Sequence, residues 1–277
     1  MRRSLILLLV AFLVVAGCGS DDDDPEATSS TSTTAETSTT AGGSTTETTA
    51  APVDPAALDD VVTGLEVPWD VAFVDGDTFF VTERPGRVRL VDSGRLREEP
   101  VAEPDVDSTG EGGLLGIALH PDFPDQRWAY LYATTGDGNE VSRWRVAEDL
   151  TFSDPEVLIE GIPSARNHDG GRIAFGPDGM LYVGTGDAAE PELAADLESL
   201  AGKILRIAPD GSVPGDTPFD GSPVWSYGHR NVQGVAWSAD GRMYASEHGP
   251  SGEFGLCCND EVNLIRPSVF YGWPHVT

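Results

Sequence analysis

The chain has 277 residues, 46 acidic against 17 basic side chains, a net charge of −29 and a pI near 4.2. A surplus of that size argues against nucleic acid or an anionic lipid surface as the partner. It suits an exported soluble domain and leaves divalent cations open as ligands, and because the acidic residues are spread along the chain most of them read as solvated surface.

Residues 1–18 begin with Arg2 and Arg3, continue through an apolar stretch at 5–16 and end at Gly17-Cys18. Two positive charges, a short apolar run and a small-residue end make a secretory signal that is too short to span a bilayer comfortably. Val15-Ala16-Gly17-Cys18 resembles a bacterial lipobox, which implies lipidation of Cys18 and an extracytoplasmic protein anchored to the cell membrane without crossing it. Ordinary signal cleavage with an incidental Cys18 is the alternative. Residues 19–57 are Ser, Thr, Asp, Glu, Ala and Gly with almost nothing to bury, so they are expected to form a disordered tether. On flexible-coil scaling its span is about 35 Å.

Residues 58–277 are long enough for one large domain with a substantial core. An apolar-Ala-apolar step recurs at Val71-Ala72-Phe73, Ile117-Ala118-Leu119, Ile173-Ala174-Phe175 and Val235-Ala236-Trp237, every 46 to 62 residues. Each step is followed by an Asp-containing turn, a second β segment (79–82, 130–133, 181–184, 243–246) and, in most units, an alternating strand (87–90, 141–145, 203–207, 262–265). Hairpins repeating at this period predict an all-β protein built as a β-propeller, with a β-sandwich as the alternative. The segment 190–201 alone reads as helical. Of the cysteines, Cys257 and Cys258 are adjacent, and Cα atoms about 3.8 Å apart are closer than ordinary disulfide geometry allows, which leaves a vicinal bridge and two free thiols both open.

Polar motifs stand at the joints of the repeat: NHDGGR at 167–172, GTGD at 184–187, GHRN at 228–231 and SEHGP at 246–250. His, Arg, Asn and Asp beside glycines at the ends of apolar strands point to one central site. Taken singly, each motif has a plain structural reading: a turn residue for His168, a strand-end cap for Arg230 and Asn231, a turn for Gly249 and Pro250.

Together with LEVPWDVAF (65–73), GEGGLLGIALHPDF (110–123), AGKILRI (201–207), DEVNLI (260–265) and YGWP (271–274), these segments resemble, in order, the soluble quinoprotein sugar dehydrogenases of the glucose/sorbosone dehydrogenase family. The resemblance implies a six-bladed propeller, of which about four blades are present in a C-terminally truncated chain. It also implies pyrroloquinoline quinone (PQQ) and Ca2+ as cofactors and oxidation of the C1 hydroxyl of an aldose to the lactone. By resemblance His168 is the general base, and Asp187 orients it. Arg230 and Asn231 contact the quinone oxygens, with Arg230 also stabilising charge on the reduced cofactor. Gly249 and Pro250 hold the cofactor-linked calcium through carbonyls. Glu261 and the Tyr271 carbonyl match a second calcium site, and His229 reads as structural. Glu111 departs from the Gln common in the family at a position near the sugar and cofactor, where a carboxylate alters substrate choice or adds a base. The implied partners are a small aldose and an electron acceptor, either a membrane quinone or a soluble carrier, and a homodimer stays open. A non-catalytic carbohydrate-binding propeller and a calcium-dependent lactonase-type hydrolase, with Glu111 and His168 activating water, are the competing functions, since fold alone does not choose among them.

Overall fold

The Asp-containing turns fold each repeat back on itself through local bonds. Asp75 accepts the amides of Asp77 (2.9 Å) and Thr78 (2.8 Å) on one oxygen, and Asp178 accepts the amide of Met180 at 3.2 Å while Gly179 takes a positive φ of 74°. Strands follow on either side. The structure, a computed structural model, describes residues 60–252, 255, 257 and 259–275. The signal segment with Cys18, the tether at 19–57 and Cys258 lie outside the described residues.

Four antiparallel sheets result. The first holds β1 (Pro68–Phe73), β2 (Thr78–Glu83), β3 (Arg87–Asp92) and β4 (Arg95–Leu96). The second holds β5 (Leu114–Leu119), β6 (Trp128–Thr135), β7 (Gly138–Val146) and β8 (Phe152–Ile162). The third holds β9 (Ile173–Phe175), β10 (Leu181–Gly184), β11 (Lys203–Ile207) and β12 (Val224–Tyr227). The fourth holds β13 (Val232–Trp237), β14 (Met243–Glu247) and β15 (Glu261–Ile265). Strands within each sheet neighbour one another in chain order, the meander of a propeller blade. The expected all-β propeller is what forms, with four blades among the described residues.

The register explains the repeated step. Its alanine lies opposite an aromatic ring in every blade: Ala72 opposite Phe80, Ala118 opposite Tyr130, Ala174 opposite Tyr182, and Ala236 opposite Tyr244. A small side chain on the inner strand leaves room for a ring on the second. Phe80 and Tyr130 are fully buried. The core lies between blades rather than within one. Phe80, Val88 and Leu90 pack on Leu114, Ile117 and Leu131; Tyr132 and Val141 pack on Ile173, Val183 and Leu205; Tyr182 and Ile204 pack on Val232, Met243 and Ala245. Full burial of each such side chain contributes roughly 1.5–3 kcal/mol.

The segment 190–201 departs from its expected helix. It holds one 3-10 turn, Pro191–Ala194, whose preceding residue Glu190 makes no side-chain capping bond. Asp196 and Ser199 instead accept the amides of Glu198 (2.9 Å) and Ala201 (3.1 Å), closing short turns. The ammonium of Lys203 takes the carbonyls of Leu193, Ala194 and Ala201 at 2.8, 3.0 and 2.6 Å. The outer strands β4, β8 and β12 extend blades beyond the three segments legible in the sequence. No helix among the described residues is long and apolar enough to cross a membrane.

Inner strands enter at the same face at which second strands leave. Register shifts interrupt three inner strands at that entering end, between Pro68 and Asp70, Leu114 and Ile117, and Val232 and Gly234. Such bulges bend the ladder and re-aim side chains. The polar motifs, preceding β9 and β13 and following β10 and β14, therefore meet on one face.

Candidate active site

His168 leaves the loop before β9 with φ at +66°, a conformation that side-chain-bearing residues seldom adopt. Three bonds hold it there. Its amide donates to Glu111 Oε2 at 2.8 Å, its carbonyl accepts the Ala188 amide at 3.2 Å, and its Nδ1 meets Asp187 Oδ1 at 2.7 Å. With a carboxylate on Nδ1 the proton sits on that nitrogen, which leaves Nε2 as the basic one. Both side chains are buried, His168 at 7% exposure and Asp187 at 0%.

Asp187 is as firmly held as its partner. Oδ1 also accepts the Ala189 amide at 2.8 Å, Oδ2 accepts the Trp273 indole N–H at 2.7 Å, and the Asp187 amide donates to Arg230 O at 2.8 Å. Gly186 lets this happen, since a Cβ there would stand 1.8 Å from the His168 carbonyl oxygen. The glycine of GTGD is thus a close-approach residue.

GHRN enters beside it. Asn231 Oδ1 accepts the Gly170 amide and the Gln233 side-chain amide, both at 3.0 Å, and its Nδ2 lies 3.4 Å from Glu111 Oε2. Arg230 is 3% exposed, donates to the His248 carbonyl at 3.3 Å, and has its guanidinium 5.6 Å from the centre of the Trp273 ring. Its backbone is fixed by Glu247, which accepts the Arg230 amide (2.8 Å), His229 Nδ1 (3.0 Å) and Asn263 Nδ2 (2.8 Å). Burial pushes the Glu247 carboxyl up, but the His229 imidazole and these bonds outweigh it and hold the group below the usual carboxylate range. His229 lies between Glu247 and Ser226 Oγ (2.9 Å) and stacks on Tyr271 at 4.7 Å, a supporting position.

Two cavities adjoin this network. One of about 300 Å3 is walled by Trp69, Arg84, Glu111, Asp169, Asn231 and Gln233. Asp169 is 1% exposed, and burial, together with the charge of Glu111, pushes its carboxyl up against the lowering bonds from the Ala165 amide and Asn139. The other, about 10 Å3, has room for little more than one water-sized body. Gly249, Pro250, Glu261 and Tyr271 line it together, with Arg230, Glu247 and Trp273. Gly249 admits the chain at 259–260, for a Cβ there would meet Asn259 O at 2.0 Å. Among the described residues no three His, Cys, Asp or Glu side chains converge as a metal centre, so a cation here would depend on backbone carbonyls. A further cavity, about 470 Å3, lies among the inner strands next to the Arg172–Asp70 ion pair and has no part in the His–Asp contact.

All the candidate residues therefore gather at one face. Those the sequence reading left without a role are Trp273, Glu247 and Arg84. Arg84 donates to the carbonyls of Gly112 and Gly110 and so shapes the loop that carries Glu111. Glu247 and Trp273 lie inside motifs already singled out, SEHGP and YGWP, but which atoms they hold has no sequence signal. Cys257 is disulfide-bonded.

Residues 65–277 match the model of the glucose/sorbosone dehydrogenase family. The chain is 36% identical over 231 residues to the aldose sugar dehydrogenase YliI of Escherichia coli, covering 77% of this chain and 60% of that protein. It is 31% identical over 253 residues to quinoprotein glucose dehydrogenase B of Acinetobacter calcoaceticus, covering 78% and 52%. Among solved structures, the PQQ-bound form of an aldose sugar dehydrogenase from Streptomyces coelicolor superposes with a TM-score of 0.74 at 43% identity, covering 79% of this chain and 66% of that one. The chain thus spans about half to three fifths of the length of these curated relatives.

Proposed function

This chain belongs to the glucose/sorbosone dehydrogenase family, and from that premise we propose that it oxidises the C1 hydroxyl of an aldose to the lactone with pyrroloquinoline quinone and calcium. The observation that carries the reading is the buried His168–Asp187 contact of 2.7 Å, with Glu111, which accepts the His168 amide, lining the polar cavity. Similarity to the Escherichia coli, Acinetobacter and Streptomyces enzymes supports the substrate class and the cofactor.

The residues fit the cofactor. The cavity of about 300 Å3 offers an aromatic wall in Trp69 and the donors Arg84, Asn231 and Gln233, suited to a flat, oxygen-rich ring system. Gly249 and Pro250 would hold the cofactor-linked calcium through carbonyls, and Glu261 with the Tyr271 carbonyl would serve a second calcium, in keeping with a hard cation. When bound, the quinone supplies the hydride acceptor and the calcium supplies Lewis acidity.

The chain's own part is proton transfer and placement. His168 Nε2 takes the hydroxyl proton, and Asp187 fixes the tautomer and balances the imidazolium that forms. Arg230 and Asn231 present donors where negative charge gathers. Glu111 is engaged by the His168 amide, which favours a role in fixing the base over one in activating water. The signal and lipobox reading of residues 1–18 extends the proposal to an extracytoplasmic protein tethered at Cys18, with electrons leaving to a membrane quinone or a soluble carrier.

The test is dye reduction by the purified protein supplied with calcium, pyrroloquinoline quinone and a panel of aldoses. Activity lost in His168→Ala supports the proposal, by a factor of about 10² to 10⁴ if proton abstraction is the step removed. Sugar binding without turnover, or lactone opening without quinone, overturns it.

A further inference from the structure

We propose that Trp273 is a positioning residue for the His168–Asp187 pair, a role that rests on the reading of His168 as the base. Its indole N–H donates to Asp187 Oδ2 at 2.7 Å, 86 residues away in sequence, and the two side chains are buried together. Asp187 is completely enclosed, and its other oxygen already serves His168 Nδ1 and the Ala189 amide. The indole is what holds Oδ2, and so it sets the plane in which Oδ1 faces the imidazole. A donor bonded to an ionised acceptor makes one of the stronger hydrogen bonds available.

Tryptophan suits this task chemically. Its N–H donates only, neither accepts nor ionises near neutral pH, and so holds the carboxylate oxygen without adding a titration of its own. Its backbone amide donates to Gly228 O at 3.0 Å, and its ring lies 5.6 Å from the Arg230 guanidinium. One side chain thus ties the carboxylate behind the base to the loop that presents Arg230.

Removing the donor has a directional consequence. The indole draws part of the Asp187 charge toward itself. Without it more of that charge faces the imidazole, which favours imidazolium over the neutral base. Among the described residues, the charged groups near the pair include Glu111 on the His168 amide, the neighbouring carboxyl of Asp169, and Arg230 over the Trp273 ring, and the substitution alters none of them.

In Trp273→Phe, loaded with quinone and calcium, the acid limb of kcat/KM for aldose oxidation is expected to move up by about half to one pH unit. The plateau is expected to fall roughly 10- to 100-fold, as for other residues that orient a reacting group. A uniform loss at every pH with the limb unmoved assigns Trp273 to packing alone and overturns the proposal, as does an unchanged profile. A second readout needs neither cofactor nor turnover. In cofactor-free protein the Trp273 indole ¹⁵N–¹H resonance, identified by its loss in W273F, is expected to move upfield in Asp187→Ala, and an unmoved resonance refutes the link. If the unsubstituted protein oxidises no aldose while that resonance moves, the dehydrogenase reading falls and the Trp273–Asp187 link stands.

Discussion

Lys203 gives a sharp test of how the segment beside the site is held. Its side chain is fully buried, with the ammonium on the carbonyls of Leu193, Ala194 and Ala201 at 2.6–3.0 Å. Burial pushes it down from the usual 10.5 to about 8, with the charge of Asp196 only partly opposing. Between those values the folded protein has released the proton and the unfolded chain still holds it. The unfolded state then binds more protons, so stability rises with pH. From pH 7.5 to 9.5 the rise due to this one group is about 2 kcal/mol. Lys203→Met abolishes it. At pH 7.5 the substitution removes a charge-burial cost of roughly 3 kcal/mol but takes the ammonium from Ala201 O, a loss of about 1–3 kcal/mol. Leu193 O and Ala194 O keep second donors in the amides of Asp196 and Gly228. The two proteins are therefore expected to lie within about 2 kcal/mol of each other at pH 7.5, with the difference moving by about 2 kcal/mol in favour of the unsubstituted protein at pH 9.5. Guanidinium unfolding followed by tryptophan fluorescence at both pH values measures this. Parallel pH dependences, or a difference of the opposite sign, would refute a buried lysine with a depressed value.

Other expectations follow from single contacts. Asp187→Asn should lower kcat for aldose oxidation by about 10² to 10⁴ while thermal unfolding moves little, because the fold survives and the tautomer does not; full activity would remove Asp187 from the reaction. Gly186→Ala puts a methyl 1.8 Å from a backbone oxygen that cannot swing aside, so it should destabilise by roughly 1–3 kcal/mol and displace His168. Gly215→Ala, with nothing within 4 Å of the new methyl, should be neutral in the same denaturation assay, and equal effects at the two positions would refute the close-approach argument. Glu247→Ala leaves His229, the Arg230 amide and Asn263 without their shared acceptor. A cost of about 3–5 kcal/mol is expected from denaturant titration, and one below about 1 kcal/mol would show that the network reorganises freely.

The repeat was legible in one dimension because its signals are local. The alternation of a strand, the side-chain closure of an Asp turn, and an alanine facing an aromatic ring across a hairpin all act within a few tens of residues. The motifs at the joints were legible for the same reason, and their common face follows from strand direction once the meander is known. The segment 190–201 misled because helix-compatible residues there meet Pro191, two turn-forming side chains and an ammonium that takes three carbonyls. That ammonium comes from the start of the next strand, where AGKILRI reads simply as an alternating strand.

Composition and order alone determined an acidic all-β propeller domain, its blade period, its family and the identity of the imidazole and carboxylate at its joints. Tertiary structure alone decided that Trp273 reaches Asp187, that Glu111 holds a main-chain amide of His168, and that Glu247 anchors Arg230. Two of these are contacts between blades, made across 86 and 57 residues, and the third joins the entry of β13 to the end of β14 across 17. Pairings of that kind depend on how curved sheets face one another around an axis, which no spacing along the chain encodes.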